Sequence, residues 1–206
     1  MKNNNFKYQR AKRLFDILFA CLGLILLSIP FFVLGVILKL TSNGPIIHWS
    51  KRTGINNSCF RMAKLRTMKI ETPEISEKLL ANSYSYCNRI GKFLRKYGID
   101  ELPQLYNILI GDMSFVGPRP ILFNDEDLIF ERNKRGINNI KPGLTGLAQI
   151  NGRSEISASK KAEYDEYYMK NISLILDLKI ICKTNLYLLQ GNHNGSHLNK
   201  KVKAIV

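Results

Sequence analysis

The stretch I-L-F-A-C-L-G-L-I-L-L-S-I-P-F-F-V-L-G-V-I-L, residues 17–38, decides what kind of fold this chain can adopt. It runs for 22 residues without a charge, about 33 Å of helix at about 1.5 Å per residue, enough to cross a bilayer. A cleavable signal peptide does not fit, because the apolar region is too long and no A-x-A-like site follows it. The plain reading is one transmembrane helix, but the flanks argue against it. Lys2, Lys7, Arg10, Lys12 and Arg13 precede the run, and Lys39, Lys51, Arg52, Arg61, Lys64 and Arg66 follow it, whereas a span places one basic flank in the cytoplasm. Ser28 and Pro30 sit near its middle, where proline can kink a helix and serine can bond a freed carbonyl. The expectation is a re-entrant membrane helix, bent at Ser28 and Pro30, with both ends on the cytoplasmic face.

The composition fits a small membrane-associated protein. With 206 residues, 45% hydrophobic and 23% charged, the chain has room for one domain beyond the apolar run. A formal net charge of +15 calls for a polyanionic partner. No zinc-finger spacing and no basic-aromatic RNA signature is present, so no nucleic acid is expected, and the charge is assigned to anionic lipid and phosphate. Cys21, Cys59, Cys87 and Cys182 lie at least 28 residues apart with no C-x-x-C pair, which suits a reducing compartment. His193 and His197 have metal-like spacing but lie among Gly and Asn in a stretch that reads as a tail.

After the apolar run, residues 46–49 and 59–62 flank G-I-N-N at 54–57 as a β-hairpin, with Trp49 suited to a membrane interface. The basic K-L-R-T-M at residues 64–68 lines either a site or a solvated, lipid-facing strand. Residues 71–78 are acidic and polar, a loop able to close over a ligand. Ile90, Phe93, Leu94 and Tyr97 recur at helical spacing. Later, Asn124 reads as the cap of an acidic helix start, residues 157–169 as a helix, and residues 172–190 as either a core helix or an interfacial one. Residues 191–206 read as a flexible basic tail.

The chemistry is concentrated in G-I-D-E-L-P-Q-L-Y-N-I-L-I-G-D-M-S-F-V-G-P-R-P, residues 98–120. Asp100 and Glu101 precede Leu102, Tyr106, Leu109 and Ile110, apolar positions spaced for one helical face. An acidic N-cap is the ordinary explanation of such a pair. Pro103 would occupy the third helical position and remove one of the donors that cap needs. Arg119 stands between Pro118 and Pro120, where a stiff turn fixes a guanidinium at low entropic cost. Two carboxylates facing a rigid arginine suit a metal-bound phosphate. K-P-G-L-T-G at 141–146 is a glycine-rich turn that lets backbone approach a ligand closely, without the context of a nucleotide P-loop.

D-E-L-P-Q-L-Y-N at 100–107, G-D-M-S-F-V-G-P-R-P at 111–120 and K-P-G-L-T-G-L-A-Q-I-N-G-R at 141–153 together resemble the bacterial sugar transferases called monotopic phosphoglycosyl transferases. The resemblance implies an α/β membrane-associated fold, mostly α with a small β-hairpin. It divides the chain into a basic N-terminus and re-entrant helix at 1–40, a cytosolic catalytic domain with interfacial amphipathic helices at 41–190, and a tail at 191–206. It implies transfer of a sugar-1-phosphate from a UDP-sugar to undecaprenyl phosphate, giving a lipid-linked diphosphosugar and UMP. That reaction is the first membrane step in building a bacterial glycoconjugate, and it takes place at the cytoplasmic face of the inner membrane. It further implies Mg2+ and an aspartyl intermediate, with Asp100 as nucleophile, Glu101 and Asp100 at the metal, and Arg119 on phosphate. Arg95, Lys64 and Arg153 become further phosphate contacts, Arg95 being otherwise an exposed helix charge. Asp165 and Gln149 fall near the nucleotide sugar, Asp165 being otherwise a surface ion-pairing residue. Inner-membrane lipid is a further partner, and a homo-oligomer is left open. The rival class is a non-enzymatic scaffold binding anionic lipid, which leaves D-E-L-P-Q and G-P-R-P without a purpose.

Overall fold

The computed structural model describes residues 2–41, 44–70, 72, 86–123, 125–152 and 156–189. Arg153, the cap at Asn124, the loop at 71–78 apart from Thr72, and the tail at 191–206 with its two histidines lie outside the described residues. The fold is mostly helical α/β with small sheets. It begins with α1 (Lys2–Leu26) and α2 (Ser28–Thr41), which meet at 58°. Among the described residues no single helix is long and apolar enough to cross a membrane; the bent pair passes only when taken together. The break falls at Leu27, so Pro30 lies in the first turn of α2, where its missing N–H has no helical partner to lose. Ser28 Oγ donates to the Ile25 carbonyl at 2.8 Å.

β1 (Ile47–Thr53) and β2 (Cys59–Leu65) form the hairpin, registered from Ile47 opposite Leu65 to Thr53 opposite Cys59, with Asn56 and Asn57 at positive φ in the turn. Both strands run longer than the apolar residues alone suggested. Two further pairings went unforeseen: β4 (Ile121–Leu122) adds antiparallel to β1, and β3 (Ser114–Val116) pairs parallel with β5 (Gly143–Thr145). These strands hold two or three residues each, too few for an alternation to show in sequence. The helices are completed by α3 (Arg89–Lys96), α4 (Gln104–Ile110), α5 (Glu126–Lys134), α6 (Leu147–Ile150), α7 (Ala158–Lys170) and α8 (Leu174–Leu189).

α4 is buried on a different face from the expected one. Leu105 and Ile108 enter the core with Ala20, Phe60, Met62 and Met113, while Tyr106 and Ile110 are exposed. Its partner is α1, where Gly23 lets the helices close: a Cβ there would lie 3.0 Å from a Leu105 methyl. Arg13 of α1 donates to the Ile108 and Leu109 carbonyls at 2.6 and 2.8 Å, capping the end of α4. Asp16 accepts from Ser114 Oγ and Phe115 N, both at 3.1 Å. On the other side of α4, Asn107 accepts from Ala63 N at 3.0 Å and donates to Arg61 O at 2.8 Å, filling the edge of β2 that β1 leaves open.

Of the four apolar positions read on α3, Leu94 alone is buried; it joins Leu38 of α2 and Leu65 of β2. α8 turns one apolar face to the core, as a core helix does, and leaves a second apolar face exposed. Leu176 and Ile180 pack with Val116, Leu147, Ile150 and Tyr168, and Leu174, Ile175, Leu178, Leu186 and Leu189 stay exposed. Its buried Asp177 is neutralised by Lys12 of α1 and accepts from Tyr8 at 2.7 Å, with the Tyr168 hydroxyl 2.8 Å from its other oxygen.

Candidate active site

Asp100 and Glu101 do not cap α4. They occupy a 3-10 turn, Ile99–Glu101, entered through Gly98 at φ 69°; α4 starts only at Gln104, with Pro103 at its cap position and no side-chain cap bond. Both carboxylates are buried, 6% and 4% exposed, which excludes the ordinary explanation of the pair. Burial of two adjacent acids requires nearby cations.

Those cations arrive from two elements. Lys64 of β2 donates to Glu101 Oε1 at 2.9 Å. Arg119, in the loop between β3 and β4, reaches Glu101 Oε1 at 2.5 Å through Nη2 and Oε2 at 3.3 Å through Nη1, a two-pronged contact. Burial pushes the Lys64 ammonium below its ordinary pKa; the Glu101 charge, and more weakly that of Asp100, pulls it back. Lys64 is therefore no solvated strand residue. Arg95 is no exposed helix charge either: it is 9% exposed on α3, which ends against the Asp-Glu turn.

The loop carrying Arg119 is held from behind by the glycine-rich turn. Gly117 N donates to Thr145 O and Gly143 N to Pro118 O, each at 2.9 Å. A Cβ on Gly143 would lie 2.1 Å from Gly117 N, so only glycine permits this approach. The K-P-G-L-T-G run was expected to let backbone approach a ligand; the partner it approaches is the backbone of the G-P-R-P loop. Gln149 donates to Leu144 O at 3.0 Å in the same turn, and its Oε1 has no hydrogen-bond partner among the described residues.

Asp165 lies behind the loop as well. It is 1% exposed and pairs with Arg132, Nε at 3.0 Å and Nη2 at 2.6 Å, both on Oδ2. The pair is buried rather than superficial. Burial raises the Asp165 pKa and Arg132 opposes the rise. Sequence reasoning missed Arg132, which looks like any charge on a polar helix, and missed the packing roles of Arg13, read only as a basic flank, and of Asn107, a neutral amide on α4.

The structure thus brings together Asp100, Glu101, Lys64 and Arg119, with Arg95 on the adjoining helix, and sets Asp165 and Gln149 a layer behind. Among the described residues no group of three or more His, Cys, Asp or Glu could hold a metal. Two adjacent buried carboxylates nevertheless fit a magnesium ion that completes its shell with substrate phosphate and water, the usual arrangement for that ion.

The model of the bacterial sugar transferase family matches residues 7–191. The chain belongs to that family. An uncharacterized sugar transferase of Bacillus subtilis (strain 168), EpsL, is 41% identical over 189 residues, covering 91% of this chain and 92% of its own. The exopolysaccharide production protein ExoY of Sinorhizobium fredii is 36% identical over 189 residues, with 84% and 83% covered. A UDP-glucose:undecaprenyl-phosphate glucose-1-phosphate transferase of Klebsiella pneumoniae is 38% identical over 180 residues, covering 84% of this chain and 39% of that longer one. In this sugar transferase the acidic turn and its two cations are the one place among the described residues where paired carboxylates are buried against cations from separate elements.

Proposed function

We propose that this bacterial sugar transferase moves a sugar-1-phosphate from a UDP-sugar to undecaprenyl phosphate, releasing UMP. The observation that carries the reading is the buried Asp100-Glu101 turn with Lys64 and Arg119 on Glu101. Both substrates bring phosphate charge, so an anionic nucleophile needs cations to approach them. The name of the Klebsiella relative supports the same reaction.

In the first half-reaction an Asp100 oxygen bonds to the sugar-bearing phosphorus, and the bond to UMP breaks with its electron pair leaving on UMP. In the second, a phosphate oxygen of the lipid attacks that phosphorus and the Asp100 carboxylate departs unchanged. Arg119 moves from Glu101 to a phosphoryl oxygen pair, a bidentate contact that lysine cannot reproduce. Lys64 places a positive charge against Glu101, and Arg95 supports phosphate. A magnesium ion held by Glu101, Asp100 and substrate would neutralise charge on the transferring phosphate. Incubation with labelled UDP-sugars and undecaprenyl phosphate should yield UMP and a lipid-linked diphosphosugar. Failure with every UDP-sugar, in lipid nanodiscs, would end this reading.

The same proposal includes a re-entrant anchor at the cytoplasmic face of the inner membrane. Basic residues on both flanks, the 58° bend and the exposed apolar side chains of α1 and α2 support it. In a cysteine-free background, Asn3→Cys and Asn56→Cys should both be protected from membrane-impermeant reagents in intact cells. Labelling at position 3 alone would establish a simple span. Pro30→Leu should shift part of the population toward that span.

A further inference from the structure

We propose that Arg132 and Asp165 are positioning residues that set the direction of the Arg119 guanidinium, acting through the Arg119 main chain and not through the substrate. The inference rests on the reading that Arg119 holds substrate phosphate.

Arg119 stands between two prolines, so neither neighbour can anchor the loop through an N–H. Their carbonyls must serve instead. Pro118 O accepts from Gly143 N at 2.9 Å, Arg119 O from Arg132 Nη1 at 2.8 Å, and Pro120 O from Arg52 Nη1 at 3.5 Å, the weakest of the three. Preceding a proline confines Arg119 to extended backbone, and fixing its carbonyl selects the remaining ψ. The direction in which the side chain leaves the loop follows from that angle.

Arg132 is well placed for this. It is 5% exposed, and Asp165 is 1% exposed. Nε and Nη2 are both spent on Asp165 Oδ2, which leaves Nη1 aimed at Arg119 O. Neither residue is exposed enough to serve as a docking surface for a nucleotide sugar. A buried ion pair is an expensive way to join two helices that apolar side chains could join as well. Its distinctive product is a rigid, charged donor under the one loop residue that meets Glu101 in front.

The test is a double-mutant cycle on the full chain in nanodiscs, reading kcat and KM for UMP release. Arg132→Met should lower kcat/KM by about tenfold or more, the effect of one lost charge-assisted hydrogen bond. In an Arg119→Ala background the same change should cost less than about twofold, because nothing is left to direct. Equal losses in both backgrounds, or none in either, would overturn the proposal. If Arg132→Met does not fold, Asp165→Asn takes its place in the cycle. A second readout needs no turnover: with selectively labelled arginine, the Arg119 Nε–H resonance should lose its dispersion and protection in Asp165→Asn while that of exposed Arg89 stays unchanged. An unaltered Arg119 resonance also overturns the proposal. Wild-type protein that releases no UMP, yet shows the Arg119 resonance responding, would refute the transfer reading and leave the positioning role standing.

Discussion

Asp100→Asn should give a folded, membrane-associated protein that forms no phosphosugar adduct and releases UMP only at background. Asparagine keeps the size and most of the hydrogen bonding of the side chain, so the 3-10 turn should survive, but an amide cannot carry a phosphosugar between two half-reactions. With UDP-sugar and magnesium but no lipid acceptor, wild-type protein should accumulate an aspartyl species visible by rapid-quench mass spectrometry. Steady-state kinetics in both substrates should be ping-pong, with parallel double-reciprocal lines. Intersecting lines, together with no UMP burst in the absence of acceptor, would show that Asp100 acts as a base for the lipid phosphate and not as a nucleophile.

Glu101→Gln should fail differently. Glu101 is the shared acceptor of Lys64 and Arg119, and removing its charge leaves two cations facing each other across a buried turn. A fully buried pair broken on one side costs about 3 to 5 kcal/mol. Here about 2 kcal/mol is expected, because the amide oxygen still accepts from Lys64 and the Arg119 side chain, 38% exposed, is screened by water. Thermal unfolding in nanodiscs should show a lower midpoint for Glu101→Gln than for Asp100→Asn. Both half-reactions should slow while Asp100 remains able to form the adduct, and higher magnesium should restore part of the rate. Wild-type turnover at ordinary magnesium would remove Glu101 from the metal.

The parts of this protein legible in its sequence are those where a single local pattern admits a single arrangement. The hairpin was legible because a Gly-Asn turn separates two apolar runs. The bend was legible from Pro30 and the doubled basic flanks, although the break falls at Leu27. α4 was misread because apolar residues ring it almost completely. A period of 3.6 cannot choose between the Leu105-Ile108 stripe and the Tyr106-Ile110 stripe; packing against α1 chooses. The acidic pair stood out because Pro103 weakens its reading as a cap, and Arg119 because two prolines stiffen its turn; the structure brings the two together. Lys64 was visible only as a basic motif with two readings; what the structure adds is its ion pair with Glu101. Arg132 and Asn107 were invisible, since their roles depend on partners 13 to 46 residues away and nothing beside them in sequence marks a buried site.

α1 carries different surfaces on its different sides. Arg13, Asp16, Ala20 and Gly23 recur at intervals of three and four along one side, where they meet α4 and β3; Tyr8 and Lys12 meet Asp177 of α8, and further along Leu14, Phe15, Leu18, Phe19, Leu22, Ile25 and Leu26 are exposed. A helix exchanged for another of equal hydrophobicity would strand the carbonyls of Ile108 and Leu109 and uncover Leu105 and Met113. Trimming the segment away would do the same damage. For a protein engineer the apolar segment is therefore no detachable handle. Any graft must carry the arginine, the aspartate and the two small residues at their present spacing.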